Sequence, residues 1–225
     1  MSVTTMIGNA NPASGMNVKL VWATPNAEEM IVKMARVSAP KNQDNMDTAP
    51  RLLRYLIKHK HWSPYEMANL CVEIETTRGI SAQILRHRSF SFQEFSQRYA
   101  DVGELGSSVI PHLRRQDIKN RQNSIDDLSP DVIAGYYRRI GHLFEDAEHL
   151  YREMVSSGVA KECARAVLPI ATKTKMYMNG SLRSWIHYLQ LRCDVSTQLE
   201  HRQIAEEIKE IFCEQFPIIG EAVFE

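Results

Sequence analysis

One segment of the chain concentrates side chains that bind anions. It runs from Arg86 to Tyr99 and contains three arginines, three serines, His87 and Glu94. A guanidinium group is permanently charged and presents a planar fork of donors that fits phosphate, so several held close together repel one another unless an anion lies among them. This density of charge indicates a ligand site, although an ordinary solvated helix end has a similar composition.

A second polar cluster follows a helical spacing. Arg183, His187 and Gln190 stand at i, i+4 and i+7, which places them on one face of a helix. Apolar and aromatic residues occupy most of the positions between them, and Arg192 closes the segment. The same pattern is typical of a core helix with a polar edge, so the spacing alone leaves both interpretations open.

Other familiar chemistries have little support in the sequence. The chain contains no GxGxxG, Walker, HExxH or GxSxG motif, so a bound phosphate must be held mainly by side chains. His59 and His61 flank a lysine without a nearby cysteine, and we predict no metal site there. Cys163 lies near Lys161 and Arg165 and could be an activated nucleophile, but a helical cysteine more often serves packing, and we assign it to the core.

Composition limits the class of protein. Lysine plus arginine and aspartate plus glutamate both number 27 among 225 residues, so no overall field attracts nucleic acid or an anionic membrane. The hydrophobic fraction of 44% suits one domain, which we place at residues 1–225. Four widely separated cysteines indicate reduced thiols and, with no export or membrane-spanning segment evident, a cytoplasmic protein. They are Cys71, Cys163, Cys193 and Cys213.

The hydrophobic pattern predicts an α/β chain with strands and helices in mixed order and no regular βαβ repeat. We expect strands at 19–23, 67–76 and 172–178, and helices at 25–37, 50–57, 78–86, 130–154, 182–191 and 197–212. Thr24 and Pro25 read as the cap and first turn of the first helix. The polar segment 114–127 is predicted to be a loop. The long helix carries a stripe at core-facing spacing, namely Ile133, Tyr137, Ile140, Phe144 and Ala147.

Several of these segments together form a recognisable motif set. The first segment supplies Arg86, His87, Arg88, Ser91, Glu94, Ser96, Arg98 and Tyr99; the others are His61–Glu66, Gln83, Arg165–Pro169 and Leu189–Arg192. In this order and spacing they resemble the signature of the flavin-dependent thymidylate synthases, from about residue 18 to the C-terminus. The chain departs from the usual pattern at four positions, which are Gln93, Ser181, His187 and Ser196.

The resemblance implies a reaction and an assembly. The family converts dUMP to dTMP with FAD, a methylene group from methylenetetrahydrofolate and reducing equivalents from NADPH. It implies a twisted, mostly antiparallel sheet flanked by long helices, and a homotetramer whose sites are shared between subunits. Nucleic acid and membranes are not among the partners that it implies.

The resemblance also assigns residues to ligands. FAD is expected to contact Ser63, Arg86, His87, Arg88, Glu94, Ser181, Leu182, Arg183 and His187, with His61 close by. The dUMP site is expected to comprise Gln83, Ile84, Leu85, Arg86, Glu94, Phe95, Ser96, Gln97, Arg98, Arg165 and Arg192. Arg192 is the catalytic candidate, because a guanidinium beside uracil N3 and its carbonyls favours the ionised, electron-rich ring. No base is evident beside Ser96, so this hydroxyl is assigned to substrate binding.

A second class of function competes with the enzyme. In a module that binds single-stranded nucleic acid, the arginines would contact phosphates while Phe90, Phe92 and Phe95 stack on bases. The neutral net charge and the absence of a basic face argue against it. Bound flavin in the purified protein distinguishes the enzyme from this alternative.

Overall fold

A computed structural model describes residues 15–224. The chain divides into two compact units. Unit 1 comprises residues 15–17, 75–82 and 94–175 of the described chain, and unit 2 comprises residues 18–74, 83–93 and 176–224. None of the helices within residues 15–224 is long and apolar enough to cross a membrane.

The main sheet has four strands, which are β1 (Asn17–Ala23), β2 (Asn69–Thr77), β3 (Ser91–Glu94) and β6 (Lys173–Ser181). Their order in the sheet is β1-β2-β6-β3. Tyr177 donates to Glu73 at 2.7 Å, and Lys175 pairs with Glu75 at 2.9 Å. The residue numbers of the paired residues rise along β2 as they fall along β6, so the two strands are antiparallel. The predicted α/β class and antiparallel sheet are confirmed.

Unit 2 contains helices packed around a core of large apolar side chains. They are α1 (Ala27–Ala35), α2 (Ala49–Lys58), α6 (Leu182–Arg192), α7 (Leu199–Gln215) and α8 (Pro217–Phe224). The predicted start of α1 is wrong, because Thr24 exchanges hydrogen bonds with Asn69 in β2 and its hydroxyl accepts the Asn69 N–H at 2.9 Å. Asn26, in the left-handed conformation at φ 51°, precedes the helix instead.

The helix α8 is absent from the prediction. The helix contains Pro217 and Gly220; Pro217 stands in the first turn, where its missing N–H costs nothing. Gly220 lies against Cys213 of α7, so closely that a Cβ at Gly220 would be 2.9 Å from the Cys213 sulfur. The glycine therefore serves close helix packing, not helix termination.

The long helix of unit 1 has its predicted limits, and its predicted stripe lies on the less exposed face but is only half-buried. Helix α4 spans Pro130–Ser156, the Ser129 hydroxyl accepts the Val132 N–H, and Gly158 adopts φ +86° beyond the last turn. Of its side chains only Tyr151 is buried, where it packs with Val102 and Ala164. All members of the predicted stripe, Ile133, Tyr137, Ile140, Phe144 and Ala147, are half-buried. A second apolar row on α4 is exposed and consists of Val132, Tyr136, Leu143 and Leu150.

The segment predicted to be a loop contains a small antiparallel ribbon. Strands β4 (Arg115–Gln116) and β5 (Ser124–Ile125) pair with Arg115 opposite Ile125. The Arg115 guanidinium donates to both carboxylate oxygens of Asp127, at 2.8 and 2.6 Å. The loop prediction is therefore wrong at residues 115–116 and 124–125, and the rest of the segment is irregular as predicted. The remaining helices, α3 (Arg78–Ile84) and α5 (Lys161–Ala164), are short.

Candidate functional site

The arginine-rich segment is held to unit 2 by an aromatic anchor. Helix α3 ends at Ile84, two residues before its predicted end, so Arg86 and His87 lie in the turn that follows. The Phe90 ring, 9% exposed, packs edge-on against Trp185 with centroids 4.7 Å apart. Trp185 is itself fixed by an indole N–H donated to the Leu70 carbonyl at 2.9 Å. The turn is therefore attached to the core at Phe90, while Arg86 and Arg88 are exposed.

Beside this turn, unit 2 contains a cleft of about 470 Å³. Its lining combines an indole, donors and charged groups: Trp62, Glu66, Ser89, Arg183, Ser184, Ile186, His187 and Gln190. Arg183, His187 and Gln190 of the predicted helical face all line it, so that face is not a buried helix edge. Arg183 forms an ion pair with Glu66.

The other predicted cofactor residues of unit 2 have structural tasks or are exposed. Ser181 caps α6, since its hydroxyl accepts the Ser184 N–H at 3.3 Å. The Leu182 side chain is fully buried, and its N–H donates to the Ala68 carbonyl at 2.9 Å. His61 and Ser63 are exposed and do not line the cleft as the structure describes it.

Arg192 begins a chain of side chains that leads into the core of unit 2. Its Nε–H donates to His87 Nε2 at 2.9 Å. The His87 ring stands edge-on to Tyr188, with centroids 4.8 Å apart and planes at 77°. The Tyr188 hydroxyl and His201 Nε2 are 3.0 Å apart, and both residues are fully buried. In the described chain, the hydrogen-bond partner of Arg192 is thus an imidazole and not a carboxylate.

Both histidines are neutral near pH 7. Burial, aided by the charges of Arg192, His187 and Arg86, lowers the pKa of His87 to about 4. Burial, with Arg192 and His87, lowers the pKa of His201 to about 3. Burial raises the pKa of Tyr188, so its phenol stays protonated. Because His87 is uncharged, the positive charge of Arg192 is not compensated by its hydrogen-bond partner.

The depressed imidazole pKa values predict a loss of stability in acid. Where the folded pKa lies below the unfolded one, the unfolded chain takes up the proton first, so the free energy of unfolding falls as the pH drops below about 6.5. For His201, fully buried, this amounts to about 2 kcal/mol at pH 5. Denaturant unfolding at pH 7.5 and 5 is expected to show a loss in the wild type that exceeds the loss in His201→Gln by that amount. Equal losses in the two proteins would contradict the assignment.

A second group of predicted residues lies in unit 1. Arg78 pairs with Glu94 at 2.7 Å, and the Thr174 hydroxyl donates to the same carboxylate at 3.0 Å. Gln97 is 7% exposed, and its side-chain nitrogen has no hydrogen-bond partner among the described residues. An orphaned buried donor is costly, so this amide is a natural contact for a ligand.

The other predicted residues of unit 1 are accessible. Arg98 pairs with Glu162 at 3.4 Å, with both side chains more than half exposed. Arg165 is half-buried at the start of a 3₁₀ turn, Arg165–Val167. Ser96 is exposed and Phe95 half-buried. The assignment of Cys163 to the core is wrong, because its side chain is exposed on the four-residue helix α5.

Residues of the dUMP set that precede the turn are split between surface and core. Gln83 donates to Gln198 at 2.7 Å, which ties α3 to the segment before α7. Ile84 is fully buried, so only its backbone is available to a ligand, whereas Leu85 is 37% exposed.

The two histidines for which the sequence predicts no metal site, His59 and His61, have ring centroids 6.1 Å apart.

Sequence reasoning missed three residues that contact predicted site residues: Glu66 pairs with Arg183, Arg78 pairs with Glu94, and Gln198 accepts a hydrogen bond from Gln83. It also missed His201, which contacts Tyr188, a residue outside the predicted site. Glu66 and Arg78 had a usable signal, since Glu66 closes the motif segment His61–Glu66 and Arg78 begins the helix that leads to the arginines. Gln198 and His201 had none, because they lie outside every motif segment that the sequence offers.

Solved structures share this architecture. The chain matches a UMP/dUMP methylase, PolB from Streptomyces cacaoi, bound with 5-Br dUMP, with a TM-score of 0.81 and 29% sequence identity. The match covers 92% of this chain and 93% of that protein. The structure with 5-Br UMP matches with a TM-score of 0.82. The fold and the sequence identity together therefore show that the chain shares the fold of these nucleotide methylases.

Sequence comparison defines the family. The family model described as "Thymidylate synthase complementing protein" matches residues 19–218, and the chain belongs to this family. A probable flavin-dependent thymidylate synthase of Paramecium bursaria Chlorella virus 1 is 48% identical over 216 residues, covering 92% of this chain and 99% of the relative. The flavin-dependent thymidylate synthase of Synechocystis sp. is 47% identical, covering 87% and 89%. The family predicted from the motifs, and the enzyme class with it, are confirmed.

Proposed function

We propose that this protein catalyses the reductive methylation of dUMP to dTMP with FAD, methylenetetrahydrofolate and NADPH. The observation that carries the proposal is the Arg192 guanidinium, which is fixed by the neutral His87 ring and keeps its charge for a ligand. Uracil C5 attacks an electrophile poorly until the ring gains electron density. A fixed cation beside N3 and its carbonyls favours the ionised ring and so raises the reactivity of C5.

The proposed dUMP contacts divide by chemistry. Arginines 86, 98 and 165 suit the phosphate, because each offers a charged fork of donors. Gln97 offers a buried amide nitrogen without a partner in residues 15–224, and Glu94 is oriented by Arg78. Gln83, Phe95 and Ser96, with the backbone of Ile84 and Leu85, complete the set. Ser96 binds substrate in this scheme and does not attack it.

The hydrogen-bonding and charged side chains that line the cleft of unit 2 suit a flavin. Trp62 offers an aromatic surface, and Arg183, His187, Gln190 and Ser89 offer hydrogen bonds and charge. Its volume lies within the range of pockets that bind small molecules. When bound, FAD supplies the hydride that completes the methyl group, while the protein orients the reactants. Arg86, His87 and Arg88, with His61, Ser63, Glu94, Ser181 and Leu182, are the further proposed contacts.

Three broader features belong to the same proposal. Residues 1–225 act as one catalytic domain, which is supported by a single family model over residues 19–218. The enzyme works as a homotetramer with shared sites, which is supported by the exposed apolar row on α4. The location is the cytoplasm, in keeping with the four free cysteines.

A cofactor test and an assay decide the proposal. The purified protein is expected to be yellow, or to take up FAD from solution with a flavin absorbance band. It should then convert dUMP to dTMP only when both methylenetetrahydrofolate and NADPH are present. Colourless protein that cannot be reconstituted, together with tight binding of a fluorescent oligonucleotide, would overturn the proposal in favour of a nucleic-acid-binding module.

A further inference from the structure

Two fully buried residues, Tyr188 and His201, lie directly behind the proposed catalytic arginine. We propose that they are positioning residues, which hold the His87 ring so that it accepts the Arg192 Nε–H and aims the guanidinium at the substrate. The inference rests on the proposed function for the role of Arg192. The side-chain contacts on which it is built belong to unit 2 alone.

The first step concerns the proton on His87. A guanidinium is always a donor, so the 2.9 Å contact from Arg192 Nε requires His87 Nε2 to accept. The neutral ring must then carry its proton on Nδ1. Protonation or rotation of this ring would replace the acceptor by a donor or by carbon, and Arg192 would lose its support.

The second step concerns the tautomer of His201. Its Nδ1 has no hydrogen-bond partner among the described residues. If the Tyr188 hydroxyl donates to Nε2, one buried donor, the Nδ1–H, is left unpaired. If Nε2–H donates instead, the Tyr188 hydroxyl proton and the Nδ1 lone pair are both left unpaired. The first arrangement leaves fewer buried polar groups without a hydrogen bond, so Tyr188 is the donor and His201 the acceptor.

The third step connects the two histidines. Tyr188 is held at its hydroxyl by His201 and contacts the His87 ring edge-on at 4.8 Å. Its ring is also packed against Phe90 at 5.8 Å and Trp185 at 5.6 Å, so it cannot turn without disturbing the aromatic anchor. The His87 ring also stands edge-on to Phe90 at 6.5 Å and to His201 at 6.3 Å, so Tyr188 is the nearest of three rings around it. Loss of the hydroxyl contact therefore removes the polar tether of the nearest ring that sets the tilt of His87.

Tyr188→Phe and His201→Leu are the informative variants, with Tyr65→Phe as the matched control. Tyr65 is also fully buried in unit 2 and donates one hydrogen bond, to the Leu53 carbonyl at 2.9 Å. All three variants are expected to lose similar thermal stability. We expect Tyr188→Phe and His201→Leu to lower kcat about tenfold, since one buried hydrogen bond is worth about that much. His201→Gln keeps a polar group that can accept and should stay within about twofold of the wild type.

A double-mutant comparison tests whether the effect passes through Arg192. In an Arg192→Lys background, Tyr188→Phe should change the remaining kcat less than about twofold, because the group that it positions is already gone. A similar tenfold loss in both backgrounds, or a loss in Tyr65→Phe equal to that in Tyr188→Phe, would overturn the proposal.

Histidine NMR supplies a readout that needs neither flavin nor turnover. In ¹⁵N-histidine-labelled wild-type protein at pH 6, His87 should appear neutral with its proton on Nδ1, despite the nearby Arg86, Arg192, His187 and His201. Tyr188→Phe should give a mixture of tautomers at His87, and Tyr65→Phe should not. If the wild type forms no dTMP but the His87 tautomer still depends on the Tyr188 hydroxyl, the proposed function fails and the positioning of His87 by Tyr188 stands. If it forms dTMP and all tyrosine variants keep one tautomer, the positioning fails alone.

Discussion

Replacing Arg192 by alanine is expected to lower kcat for dTMP formation by about 10³-fold, the upper end of the loss seen when a fixed electrostatic group is removed from an active site. In the proposed mechanism, the Arg192 charge, held by a neutral imidazole, favours the ionised uracil ring. Initial rates at saturating dUMP measure the effect, and thermal unfolding should show that the fold is retained.

The control for this variant is Arg51→Ala. Arg51 is exposed on α2 in the same unit, so its removal changes the net charge equally without touching the proposed site. It should leave kcat within twofold of the wild type. Turnover of Arg192→Ala within tenfold of the wild type would exclude the catalytic role of this arginine.

Gly180→Ala is expected to destabilise the protein by about 1–3 kcal/mol, the cost of overpacking a dense core. A Cβ at this position of β6 would lie 2.4 Å from the Phe90 Cδ1 atom, and Phe90 is confined by Trp185 and Tyr188. The ring must move, and with it the turn that carries Arg86 and His87. We therefore expect weaker retention of FAD as well as a lower free energy of unfolding in denaturant titrations.

Gly135→Ala provides the matched comparison. Gly135 lies within α4 and a Cβ there would meet nothing within 4 Å, so alanine should stabilise the protein by up to about 1 kcal/mol. The pair separates the general effect of alanine from the clash with Phe90. If Gly180→Ala keeps its flavin and the stability of the wild type, Phe90 does not anchor the turn.

Local patterns predicted those parts of the fold whose signals are complete within one segment. The alternation along β2 places Leu70, Val72 and Ile74 in the core as expected. Helix α4 begins after Ser129 and is followed by Gly158 in the left-handed conformation, since both signals act through backbone groups a few residues away.

Long-range pairing explains most of what the sequence concealed. Thr24 is drawn away from capping α1 by Asn69, and Arg115 orders its ribbon through Asp127. The polar face of α6 was ambiguous in sequence because a cleft and a core edge favour the same spacing. The role suggested for His201 depends on Tyr188, which precedes it on another helix, and no pattern within either helix indicates the pair.

The ion pair between Glu66 and Arg183 has a consequence for how the cleft selects its ligand. Arg183 already has a negatively charged partner, so an anion that binds there displaces the Glu66 carboxylate instead of neutralising a lone cation. A paired arginine presents little net field beyond a Debye length, so added salt should alter the rate of ligand entry only weakly. At Arg183, discrimination between ligands is then expected to depend on short-range shape and hydrogen bonding more than on net charge.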